Sequence, residues 1–457
     1  MKPLLVSFVM ILIALPLSAQ DTLRVSLQDF INTGIERSGQ LSYEHGQVDL
    51  AENRAGEART ARVLPTVELN TSHGLVPGVV SNTDLPAGQY YLDPNLENDW
   101  ENWAIFTRAE MTAVQPVFTW GAINKAIRAA ELGAEAARNE FLAKQQGFEL
   151  QLYELYYSYL LALEISRILE DAESTIGQVE NRIETMREEE DPDLEEKDVF
   201  QFEIYRSEFR IQQMEVRQSV DRIQRIWNYI MDGNEEDVYL PEHDFLDPVA
   251  FDVEPFDYYQ VHAMENRPEL KGVEAGIEAY EYSIEAIRAR NLPSLFLGLS
   301  ANFANTPNRP RQTNPFIINN TNYMSAAVGF GIRQNLNFSS MRNRIERERI
   351  EYNRVRDLRG ALSDEIMLEL SEVYMEAVVA ETQVTQTDEA LKTTRNWVRH
   401  EQLNYDYGFG NVEDLIDSIR KELELRVTLK QSIFEMNTKV ASLFQSSGIP
   451  LTQLSVN

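Results

Sequence analysis

From Trp120 to Glu190 the chain contains no proline, and this one segment limits what it can fold into. At about 1.5 Å per residue it makes a helix of about 105 Å, several times the diameter of a small globular domain. Leu161, Ile165, Leu169, Ala172, Ile176, Val179, Ile183 and Met186 recur at intervals of three and four, which draws one apolar stripe along it. A second such helix begins near Ser339. Its stripe runs through Val355, Leu358, Leu362, Ile366, Leu370, Val373, Ala377, Ala380 and Val384, and no proline interrupts the chain between Pro315 and Pro450. Two copies of one long unit sharing a core explain a length of 457 residues better than a string of independent domains.

The order of elements supports duplication. The first repeat, residues 20–240, reads as a helix from Ser26 to about Arg62, broken or bent near Gly34 and Gly39, then a strand over 63–76 entered through Leu64-Pro65. A loop rich in Gly, Pro, Asn and Asp follows, then a strand over 102–117, the long helix over 120–190 and a return helix over 195–231. A proline-rich connector, 241–256, leads into the second repeat, 257–457. There the helix carries an early bend or fresh start at Pro268, Leu292-Pro293 echoes Leu64-Pro65, and strands are expected over 292–304 and 323–337. The long helix over 339–405 and a return helix over 412–446 complete it.

Lys2, the apolar run from Leu4 to Leu17 and the small residues Ser18 and Ala19 have the pattern of a secretory signal peptide, residues 1–19, with cleavage after Ala19. As a membrane anchor the run is shorter than the roughly twenty apolar residues a spanning helix needs. With no cysteine, the chain has neither disulfides nor thiolate metal ligands. A net charge of −31, from 73 acids against 42 bases, excludes nucleic acid as a partner. The five histidines lack ligand spacing, and no hydrolase elbow, phosphate loop or zinc motif occurs, so no cofactor or metal is expected.

Each strand has about the length and alternation of a segment crossing a bilayer in a barrel. In the third, Leu295, Leu297, Leu299, Ala301 and Phe303 alternate with Phe296, Gly298, Ser300 and Asn302. In the fourth, Met324, Ala326, Val328, Phe330 and Ile332 alternate with Ser325, Ala327, Gly329, Gly331 and Arg333. The small and polar side suits a wet lumen, with Arg108, Glu110, Ser300, Asn302 and Arg333 facing it. A soluble four-stranded sheet packed on helices is the alternative. Four strands cannot close, and open edges cannot persist in hydrocarbon, so assembly is required: three copies give twelve strands and room for a channel, two give eight and a filled interior.

This architecture resembles the TolC-like outer-membrane efflux proteins over nearly all of the mature chain. The resemblance rests on the duplicated order of elements, on Asn266-Arg267-Pro268-Glu269-Leu270, on Gln115-Pro116-Val117-Phe118, and on Tyr405-Asp406-Tyr407-Gly408 followed by Asp414-Leu415-Ile416-Asp417. It implies a mainly α fold with a membrane β-barrel: a homotrimer whose twelve-stranded barrel sits in outer-membrane lipid and continues as a periplasmic α-helical tunnel. It also implies work with a periplasmic adaptor and an inner-membrane transporter, as a conduit with no enzyme chemistry of its own. The hairpin tips then form the periplasmic gate. Tyr405, Gly408, Asp414 and Asp417 match the tip motif of the second hairpin and Asp198 the aspartate of the first. Gly410 stands where some members have arginine and Pro192 where the first hairpin usually has glycine.

On spacing alone, Asp414 and Asp417 share one face at a helix start, where they either cap the helix or line a pore. The acidic run from Glu188 to Glu196 reads as a solvated turn. Two rival functions remain at this point: a carboxylate-pair enzyme using the two aspartates, for which long helices offer no cleft, and a periplasmic coiled-coil spacer, which the four alternating strands oppose.

Overall fold

The structure, a computed structural model, describes residues 22–84, 92–189, 194–234, 237–311, 316, 320–407 and 412–454. The expected signal peptide, Pro192, Gly408 and Gly410 lie outside them. In chain order the elements are β1 (Thr22–Val25), α1 (Leu27–Arg37), α2 (Gly39–Val63), β2 (Thr66–Val80), β3 (Glu97–Phe118), α3 (Ala122–Glu188) and α4 (Glu196–Met231). Then come β4 (Val238–Pro241), α5 (Phe256–Asn266), α6 (Pro268–Arg290), β5 (Ser294–Asn305), β6 (Tyr323–Arg333), α7 (Phe338–Asp406) and α8 (Val412–Ser446), with a short 3₁₀ turn at Leu451–Gln453. The chain divides into two compact units, each drawing on both repeats.

One unit comprises residues 43–141 and 268–363. Its sheet has the order β2-β3-β5-β6, antiparallel throughout, and is open, with β2 and β6 as its edges. The helices stand in the same order. Arg59 on α2 pairs with Glu131 on α3 at 2.7 Å, Lys125 on α3 with Glu285 on α6 at 3.0 Å, and Arg359 on α7 with Glu274 on α6 at 2.8 Å. Small buried residues, Ala55, Ala134, Ala275 and Ala286 among them, let these helices approach closely.

The other unit comprises residues 22–42, 142–267 and 364–454 among the described residues. Ser26 caps α1 by accepting from the Asp29 amide at 3.1 Å, and α1 stops at Ser38. The expected break falls at Ser38, next to Gly39, and not at Gly34. Gly34 lies inside α1, where a Cβ would stand 2.7 Å from Leu152 Cδ1, so the missing side chain permits a close approach. Phe30, Tyr153, Tyr156, Tyr159 and Trp227 form an aromatic core where α1, α3 and α4 meet. Glu164 is buried in the same unit and accepts from Lys430 at 2.8 Å and Arg167 at 2.9 Å, while Lys430 also donates to the Leu246 carbonyl. This satisfies a charge that would otherwise be costly to bury.

Several boundaries differ from the sequence reading for identifiable reasons. β2 and β3 extend past the expected 63–76 and 102–117 into the Gly/Pro-rich stretch. There a register shift at Pro77/Gly78 accommodates the proline, Asn308 donates to the carbonyls of Val76 and Asn102, and Arg309 donates to that of Pro77. β6 ends at Arg333 rather than 337 because Asn335 turns the chain, accepting from the Asn337 amide at 2.9 Å. Left-handed backbone at Trp120 and Gly121 delays α3 to Ala122. β1 and β4, parallel partners, have no counterpart in the sequence reading, which left the second inside or beside a connector. Four residues each are too few for periodicity to register. Among the described residues no helix is long and apolar enough to cross a membrane, which says nothing of strands.

Candidate functional site: the sheet faces and the hairpin tips

Strand register decides which side chains share a face. Glu110 lies between Asn70 and Asn302, and Asn302 faces Ser325; Thr112 lies between Glu68 and Ser300, and Ser300 faces Ala327. Arg108 joins the same face opposite Ser72 and Ala304, and Arg333 joins it opposite Ser294. All five residues expected to face a lumen therefore fall on one polar face. Within it the Arg333 guanidinium stands 5.0 Å from the Phe296 ring centre, and that ring covers Gly331. The opposite face carries Val67, Leu69, Met111, Leu299, Phe303, Val328, Phe330 and Ile332, with Leu69 66%, Val328 69% and Phe330 75% exposed. A soluble fold would cover such a face.

The hairpin tips lie within the other unit. Ile183 and Met186 from α3, Phe202 and Tyr205 from α4, and Val412 and Ile416 from α8 form their buried core. Tyr405 is half-buried against it, its hydroxyl 2.8 Å from Met186 Sδ and its ring 6.0 Å from the Arg182 guanidinium. Asp198 is buried and accepts from the Glu195 amide at 3.4 Å, so within one chain it fastens the start of α4. Asp414 and Asp417 lie on the exposed side of α8, opposite Val412, Leu415, Ile416 and Ile419, and Asp417 stands 3.5 Å from Arg420. Gly408 is outside the described residues.

The tie between the hairpins falls on residues the sequence reading did not single out. Lys197 Nζ, in the first turn of α4, donates to Glu413 Oε2 at 2.6 Å, and Gln201 donates to the other carboxylate oxygen at 3.2 Å. Only their placement one turn inside two facing helix starts could have marked them. The lysine hydrogen bond, then the glutamine one, holds Glu413 below its ordinary value of 4.5, and the same bond raises Lys197 above 10.5. A depressed carboxylate adds stability above its unfolded value that is lost as pH falls through the folded one; a raised lysine adds stability below its unfolded value that is lost as pH rises through the folded one. The tie should therefore hold across neutral pH and release on acidification below 4.5. Protease cleavage near the tips should accordingly rise on acidification below 4.5 in the wild type and be independent of pH there in Glu413→Gln; an unchanged pH profile in the variant would exclude the pair as its cause.

Residues 261–447 match the family model described as OEP, outer membrane efflux protein. Compared with curated proteins, the sequence finds no match. Among solved structures the chain is similar to CusC, a transmembrane channel, with a TM-score of 0.73 and 14% identity over 94% of each chain. It is similar to the outer membrane protein VceC of Vibrio cholerae, with a TM-score of 0.69 and 13% identity over 92% of this chain and 96% of that one. The open state of the Neisseria gonorrhoeae MtrE outer membrane channel gives 0.68 and 13% over 93% and 89%. The second repeat thus matches the outer membrane efflux protein family, and the chain as a whole has the fold of TolC-like outer-membrane channels.

Proposed function

We propose that this chain is the outer-membrane channel of a tripartite export system, a passive conduit built from three copies and served by a periplasmic adaptor and an inner-membrane transporter. The observation that carries the reading is the open sheet, with two free edges and one exposed apolar face. In hydrocarbon each unpaired edge group costs several kcal/mol, so edges must meet edges of other copies. Twelve strands leave a lumen for the polar face, where Arg108, Glu110, Ser300, Asn302 and Arg333 lie.

The helices carry matching unsatisfied surfaces. α2 and α7 flank the row on the same sides as the free strands, and α2 exposes Tyr43 and Leu50 while α7 exposes Ile350. In the other unit α4 exposes Phe200, Ile204, Ile211 and Met214 at helical spacing, and α7 exposes Leu368, Met375 and Val379. These stripes are the surfaces a second copy would cover. At the tips, three copies would bring six carboxylates from Asp414 and Asp417 toward one axis, favouring cations. Efflux channels of the matched family are not enzymes, and among the described residues no His, Asp or Glu cluster could hold a metal.

Cross-linking of detergent-extracted protein should stop at three chains, and the trimer in planar bilayers should conduct with a preference for cations that Asp414→Asn/Asp417→Asn weakens. A stable monomer in lipid would overturn the channel; wild-type selectivity in the double variant would reduce the two aspartates to capping groups.

A further inference from the structure

The four helix ends beside the sheet carry a charge opposite to that of the rest of the chain. Residues 56–63, 122–129, 283–290 and 338–345 contain eight Lys or Arg against two Asp or Glu, in a protein where acids outnumber bases 73 to 42. Farther from the sheet the sign reverses on three of the four helices: residues 43–55, 130–141 and 268–282 hold ten acids against three bases. On α7 the two signs are nearly balanced over residues 346–363, with five bases against four acids. The basic side chains are available. Arg62, Arg128, Arg290, Arg342 and Arg344 are exposed and make no ion pair among the described residues.

Position gives this collar its meaning. Strands end at Thr66, Phe118, Ser294 and Arg333, and the helices begin or end at Val63, Ala122, Arg290 and Phe338, only a few residues away. Eight helical residues span about 12 Å, against a headgroup layer of about 5–8 Å beyond the hydrocarbon edge, and an arginine stem reaches back toward that edge. Aromatic rings lie at the same level. Phe118 and Trp120 are half exposed, with their ring centres 5.0 Å apart, and Phe338 is exposed at the start of α7. Aromatics at that depth with guanidiniums just beyond are the arrangement an anionic lipid surface selects.

We infer that the basic collar binds phosphate headgroups of the inner leaflet of the outer membrane, fixing the depth at which the sheet sits. The inference rests on the channel reading, which puts the exposed apolar face in lipid. The alternative occupants are an anionic solute in the lumen and carboxylates of a second copy, neither of which would select an anionic lipid.

Full-length protein reconstituted into phosphatidylcholine vesicles containing phosphatidylglycerol, extracted gently and examined by mass spectrometry should retain phosphatidylglycerol enriched at least about fivefold over the bulk mixture. The enrichment should fall with rising salt, and be lost in Arg62→Gln/Arg128→Gln/Arg290→Gln/Arg344→Gln but kept in Arg187→Gln/Arg399→Gln. Equal retention of both lipids by the wild type overturns the collar without any variant having to fold, as does salt-insensitive enrichment or enrichment that survives in the fourfold variant. A change in reversal potential in the fourfold variant, with no lipid preference in the wild type, would assign the arginines to the lumen and overturn it too. If the wild type does not enter the vesicles, the channel reading fails first and takes the collar with it.

Discussion

Arginine at Leu299 should cost the assembled channel about 2–4 kcal/mol if the site lies near the bilayer midplane, while arginine at Ser300 should leave assembly nearly intact and change conductance instead. The two positions are adjacent in β5, so helix content, chain length and local propensity are matched. They differ in face. Leu299 lies opposite Ala113 and Val328 and belongs to the exposed apolar side; Ser300 lies opposite Thr112 and Ala327 on the polar side. A guanidinium at 299 must be dragged out of hydrocarbon or carry water in with it, whereas one at 300 would enter a surface that already holds Arg108 and Arg333. The measurement is the fraction of trimer recovered after refolding into vesicles, with conductance read on whatever inserts. Equal assembly defects at both positions would argue for a sheet buried on both faces and against a membrane barrel.

The faces were legible in the sequence because a strand has a period of two and one register error would invert them; Leu297, Leu299, Val328 and Phe330 could be assigned together or not at all. The long helices were legible for the same kind of reason, since the absence of proline over α3 and α7 leaves little else for the chain to do. What stayed hidden depends on contacts distant in sequence. Lys197 and Glu413 are 216 residues apart, and nothing in either local stretch announces the other. Asn308 and Arg309 complete a strand irregularity that begins 232 residues earlier, which is how a Gly/Pro-rich segment expected to be loop remains paired. The resemblance placed Asp198 at the tip, and the Glu195 amide it accepts from within the chain could not be read from that match.

Replacing Trp227 with alanine should destabilise the protein by about 3–5 kcal/mol, the range for removing a large buried aromatic. Its side chain is 0% exposed and, from α4, packs against two other helices at once. Phe30 of α1 stacks on it with ring centres 4.3 Å apart, and Tyr156 and Tyr159 of α3 approach to 5.3 and 5.0 Å. Burial pushes both tyrosine hydroxyls up to about 12, so they stay neutral across the physiological range and the core carries no charge that could relieve its loss. Phenylalanine at 227 separates packing from polarity. The indole nitrogen is buried without a hydrogen-bond partner, so removing its N–H should cost little, and the smaller ring should account for nearly all of a milder defect. Thermal unfolding followed by circular dichroism in detergent would rank wild type first, Trp227→Phe second and Trp227→Ala well below both. If alanine fell within about 1 kcal/mol of wild type, the site would be collapsing around the lost ring, and the union of α1, α3 and α4 would have to rest on the β1–β4 pair and the Glu164 charge network instead.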